Sequence, residues 1–159
     1  MPHNLPQLID AFEAGADIPS RWAHALTREE LLAHPVPGTW SVQQVIVHVL
    51  DSDLAASHRM RRVASEDLPL LIAYDETRFA GMLRYDLADT RQVCELFATH
   101  RRFTAAWLRT VPPEAFSREG VHNQRGRVSL EQLVQFYIDH LAHHDTFVLA
   151  KRAKLGRGE

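Results

Sequence analysis

Three long stretches of the sequence repeat apolar residues at helical spacing, and none alternates as a strand for more than a few residues. From Ser41 to about Ala64 the stripe is Val42, Val45, Ile46, Val49, Ala55 and Ala56. From Asp89 to Val111 it is Val93, Leu96, Phe97, His100, Thr104, Trp107 and Leu108. The last runs from Ser129 to the cationic end near Lys154, with Leu133, Tyr137, Leu141 and Val148. Such stripes bury only against one another, so they predict an all-α, up-down four-helix bundle.

Local signals set the boundaries. Ser41, Asp89 or Thr90, and Ser129 are good N-caps for the three long helices. Leu5, Leu8, Ile9 and Phe12 mark a first helix ended by Gly15, and a second opens near Asp17 with Pro19 in its first turn. Thr27 and Glu30 form a capping-box pattern, and a short helix fits Thr77 to Leu83. The stretch from Pro112 to Val128 reads as irregular, and the tail from about residue 156 as frayed. The 159 residues suit one domain over residues 1–159.

Composition excludes several classes. A net charge of −2 gives no basic field, so nucleic acid is not an expected partner. No window approaches the length of a transmembrane span and the N-terminus lacks a basic leader, so no membrane role is expected. The single cysteine, Cys94, excludes an intrachain disulfide and a zinc–thiolate cluster and suits a reducing cytoplasm. It reads as a buried, inert thiol.

Histidine is the unusual residue, with ten in the chain. On a helix, residues four apart differ in direction by about 40° and in height by about 6 Å, so His140 and His144 point the same way. They continue the apolar stripe of the last helix and so face inward, as two ligands of one metal ion would. His143 lies about 60° off that line, at the flank. His48 lies on the buried stripe of another helix and is the best third ligand. Three imidazoles favour a divalent transition ion, zinc or nickel foremost, with iron or manganese as further candidates. Three protein ligands leave positions open, the pattern of a catalytic site.

Other residues leave alternatives open. His100 is either a hydrogen-bonded core histidine or a fourth ligand or supporting group of the site. Arg59 returns to the face of His48 about 16 Å along the helix. There it needs a carboxylate, from Asp75 or Glu76, or a ligand anion, unless it is solvated at the helix end. Asp51 either orients a ligating imidazole or is an exposed polar residue. His122 in its loop, and His3, His24, His34 and His58, read as facing solvent.

These residues carry a resemblance. "WSVQQVIVHVLDSD", Arg59, "SEDLP", "AYDE", "HRRF…WLRTV" and "VSLEQLVQFYIDHLAHH" occur in an order that resembles the DinB-like superfamily of four-helix metalloproteins. The spacing is similar to its YfiT-like branch of metal-dependent hydrolases, which includes bacillithiol transferases. The similarity covers about Trp40 to Leu155, and the first 35 residues match loosely. The resemblance implies a three-histidine metal site at His48, His140 and His144. It also aligns family histidines with His100 and His122, and puts Phe103 where the family often has tryptophan. It further implies a homodimer acting on a small-molecule substrate.

The function expected is therefore metal-dependent transfer of a low-molecular-weight, bacillithiol-type thiol to an electrophile, with Arg59 holding a carboxylate of the thiol. The alternatives are a metal-dependent hydrolase of an amide-like bond, a non-catalytic metal-binding stress-response module, and a purely structural bundle.

Overall fold

The structure, a computed structural model, describes residues 4–158. Its helices are α1 (Leu5–Ala14), α2 (Ile18–Ala23), α3 (Arg28–Leu32), α4 (Val42–Ser65), α5 (Glu76–Met82), α6 (Thr90–Leu108) and α7 (Leu130–Lys154). Strands β1 (Leu70–Leu71), β2 (Glu119–His122) and β3 (Gly126–Ser129) form a small sheet. The expected four-helix bundle is present, built from α1, α4, α6 and α7.

The caps act as the sequence predicts. Ser41 and Ser129 each accept from the backbone N–H three residues on, and the glutamines there, Gln44 and Gln132, reach back to close capping boxes. Thr27 and Glu30 close a third, and Asp89 caps α6 through the Gln92 N–H.

Side-chain pairs fix the helix directions. Asp10 and Asp17 of the N-terminal segment meet Arg109 and Arg102, so α1 and α6 are antiparallel. His48 meets His140 while Arg59 meets Tyr137, so α4 and α7 are antiparallel. Gln43 meets Thr90, Asp53 meets Arg101, and Arg61 stacks on Trp107, so α4 and α6 run parallel. The four helices thus run up, down, down and up rather than in the alternating up-down order expected. The connection across residues 66–89, with β1 and α5, carries the chain back between the two parallel members.

The two larger apolar clusters of the core have a charged layer between them. One holds Phe12, Met60, Val63, Leu108, Phe116 and Val134, and the other holds Trp22, Val42, Ile46, Leu50, Phe97 and Leu141. Between them lie Asp53 and Arg101, each 1% exposed and joined by bonds of 2.6 and 3.2 Å. Arg101 also donates to the carbonyls of Phe12 and Tyr137, so one guanidinium ties all four bundle helices together. The α6 stripe is therefore Cys94, Phe97, Arg101, Thr104 and Leu108, while Leu96, expected on it, is 48% exposed.

Gly15 ends α1 as expected, without a left-handed cap. Its φ is −73°, and the chain continues into a 3-10 turn. A Cβ there would lie 2.4 Å from Arg101 Nη1 and 2.7 Å from Leu141 Cδ2, so close packing on the charged layer requires glycine.

One expectation fails at a loop. The stretch read as irregular contains the hairpin β2–β3, with His122 paired to Gly126 across a three-residue turn. Gly126 has φ +78°, the left-handed residue such a turn needs. Near the C-terminus, Arg157 pairs with Glu30, and Arg152 donates to the Gly158 carbonyl. No helix among the described residues is long and apolar enough to cross a membrane.

Candidate metal centre

His140 and His144 project from adjacent turns of α7, and their Nε2 atoms lie 3.2 Å apart. His48, fully buried on α4, brings its Nε2 to 3.2 Å from that of His140. One nitrogen from each ring falls within 4.8 Å of the other two. Neighbours hold the rings in place: Trp40 packs on His48 at 4.9 Å between centroids, and Phe136 stacks on His140 at 6.0 Å. Asp145, beside His144, accepts from the Trp22 indole at 2.6 Å and pins this turn of α7 to α2.

The cluster suits a cation better than a hydrogen-bond network. Each neutral imidazole nitrogen makes one in-plane bond, yet His140 Nε2 faces two others. Two ligands at zinc–imidazole bond lengths in a tetrahedron sit roughly 3.3 Å apart, close to the two short separations. The rings also stay neutral, as ligands must. Burial, then the charge of His144, lowers His48 to about 4. Burial, then His144 and His48, lowers His140 to about 3, and burial, then His143, lowers His144 to about 4. The residues present therefore fit a divalent transition ion.

Above the histidines opens a cavity of about 580 Å³. Its walls include Ser52, Arg59, Tyr74, His122, Arg125 and Tyr137. That volume lies within the range of small-molecule sites.

The structure places the other candidates elsewhere. His100 does not join the triad: its Nε2 bonds Ser57 Oγ at 2.9 Å. Because α4 and α6 run parallel, His100 sits level with Ser57, about 13 Å along α4 from His48. Asp51 does not orient an imidazole but accepts from the Tyr85 hydroxyl. Arg59 lines the cavity, yet its partners are the Tyr137 hydroxyl and the Ile72 carbonyl rather than Asp75 or Glu76. Asp75 instead caps α5. His143 is exposed at the rim against Phe147.

Of the histidines expected to face solvent, His24, His34 and His58 do so, and His3 lies outside the described residues. His122 does not: it is 7% exposed and lines the cavity. The hairpin that turns it inward, with Arg125, is what the sequence reading missed. The signal was Gly126, one residue beyond a three-residue turn. Cys94 is buried, and burial pushes its thiol up to about 11, so it is unreactive near neutral pH.

Fold and site together define a four-helix bundle with three converging imidazoles beneath an open cavity. The DinB superfamily model matches residues 11–148, and the chain belongs to that superfamily. A protein of Oceanobacillus iheyensis is 30% identical over 119 residues, covering 75% of this chain and 69% of the relative. YfiT of Bacillus subtilis is 28% identical over 121 residues, covering 75% and 67%. Both are named provisionally as metal-dependent hydrolases.

Among solved structures, YfiT superposes with a TM-score of 0.92 at 22% identity, covering 99% of this chain and 91% of YfiT. Its description cites an unusual four-helix bundle topology. A mycothiol-dependent maleylpyruvate isomerase superposes with a TM-score of 0.71 at 17% identity, covering 89% of this chain and 59% of the isomerase. These two likenesses establish the fold.

Proposed function

We propose that His48, His140 and His144 hold one divalent ion, zinc or nickel, in an enzyme that transfers a low-molecular-weight, bacillithiol-type thiol to an electrophile. The observation that carries this reading is the convergence of three neutral imidazoles, two of which, His140 and His144, line an open cavity. Such an ion, when bound, makes a coordinated thiol or water acidic near neutral pH. The sulfur would then form the new bond to the electrophilic carbon while that carbon's leaving group departs with its bonding pair, and the thiol proton would leave to solvent.

The cavity wall favours a thiol over water. A metal-bound water is commonly assisted by a carboxylate base beside it. Among the described residues lining this cavity the one carboxylate is Glu76, whose carboxyl is pushed up by burial and whose charged neighbours are Arg125 and Arg59 rather than a triad histidine. A thiol is acidic enough to need no such base. The mycothiol-dependent isomerase, a thiol-using enzyme on the same bundle, supports the reading. The names of the relatives support the second reading, hydrolysis of an amide-like bond.

The test is an assay of metal-loaded protein with several cellular thiols and a model electrophile. Conjugation by wild type, lost together with bound metal in His144→Ala, is expected. Hydrolysis of a model amide with no conjugation would select the second reading. Full activity in metal-free His144→Ala protein would remove both.

A further inference from the structure

Buried cations in this molecule are matched in different ways. Arg101 has the Asp53 carboxylate. Arg152 donates to the carbonyls of Trp22, His24 and Gly158, away from the cavity. Arg59 is 9% exposed and lines the cavity, but both its acceptors are neutral: the Tyr137 hydroxyl at 2.8 Å and the Ile72 carbonyl at 2.6 Å. No carboxylate among the described residues forms an ion pair with it. Glu76 shares the cavity and feels this charge only at longer range; a guanidinium removed from water with no carboxylate in contact is costly, so its place in a cavity wall suits an anion from outside.

The hairpin adds further donors. His122 Nδ1 accepts from the Gln124 backbone N–H at 3.2 Å, so the neutral ring carries its proton on Nε2, free for a ligand. Burial, then the charges of Arg59 and Arg125, favours that neutral form. Arg125 sits 4.0 Å above the Phe136 ring, and that ring stacks in turn on His140. Arg127, the third arginine of the wall, is already paired with Glu119. The Tyr137 ring, whose hydroxyl accepts from Arg59, lies 6.0 Å from the His140 ring, so these donors and the triad are two ends of one cavity.

We propose that Arg59, His122 and Arg125 form a carboxylate-binding subsite facing the three imidazoles. The small molecule taken there carries an anionic group several bonds from its reacting atom. This rests on the reading of the triad as the reactive end, and it specifies the substrate class: carboxylate-bearing thiols over neutral ones.

Two titrations test it. Zinc-loaded protein is titrated calorimetrically with N-acetylcysteine and with N-acetylcysteine amide, which differ in one carboxylate. The acid is expected to bind about tenfold or more tightly, the worth of a charge-assisted hydrogen bond. Arg59→Gln should erase that preference by weakening the acid far more than the amide. Arg125→Gln, at an exposed position where it gives up its stacking on Phe136, should reduce it several-fold and so serves if Arg59→Gln does not fold. A preference that is absent, or that survives both substitutions because the ion itself holds the carboxylate, overturns the subsite.

The second titration uses metal-free protein with succinate as probe, followed by ligand-observed NMR. Succinate binding that is lost in Arg125→Gln supports the subsite even if the triad binds no metal. Absence of succinate binding in a protein that does bind zinc rejects the subsite and leaves the triad standing.

Discussion

Acid should destabilise the metal-free protein through its three inward imidazoles. His48 is fully buried, and its folded-state value near 4 lies well below the ordinary histidine value of 6.5. As pH falls below that value, the unfolded chain takes up a proton that the folded chain refuses. Stability is therefore complete above about pH 6.5, falls as the solution is acidified, and levels off near pH 4, where the folded ring also protonates. Between about pH 7.5 and about pH 5, His48 alone accounts for about 2 kcal/mol of lost stability. His140 acts in the same direction, and His144, partly exposed, contributes less. The assay is urea denaturation of chelator-treated wild type and His48→Gln at both pH values. The wild type should lose about 2 kcal/mol more than the variant on acidification. Equal losses would show that His48 titrates normally and would refute the burial argument.

Four further variants test the scaffold. Asp53→Ala strands the Arg101 guanidinium in the core at a cost of about 3–5 kcal/mol, or roughly 6–20 °C in Tm, measured by scanning calorimetry. The paired change Asp53→Leu with Arg101→Met should recover most of that loss. Gly15→Ala forces a methyl against Arg101 and Leu141 and should cost about 1–3 kcal/mol by urea denaturation. Gly126→Ala strains a φ of +78° by about 1–2 kcal/mol, and faster amide exchange confined to β2–β3 is the expected sign.

The long helices were legible because each has both a periodic stripe and a cap. Ser41 and Ser129 carry a glutamine three residues on, a local signal that tertiary contacts did not override. The triad was legible for the same reason: four-residue spacing on a buried face leaves the rings of His140 and His144 only one direction. Helix direction was not in the pattern. A stripe looks alike in parallel and antiparallel neighbours, and the parallel run of α4 and α6 is what carries His100 away from His48. Arg101 was hidden by its charge, although it sits four residues after Phe97 and three before Thr104 on the buried stripe. The hairpin was hidden by brevity, since four-residue strands with charged partners such as Glu119 and Arg127 show little apolar alternation. His122 and Arg125 went unseen with it, and they form the wall opposite the triad.

The central claim is that one ion sits among three imidazoles, and the metal content of untagged protein measures it most directly. Wild type loaded with zinc and freed of excess should retain about one ion per chain, and folded His144→Ala almost none. Equal retention by both proteins, or none by wild type, would contradict a metal centre at these histidines.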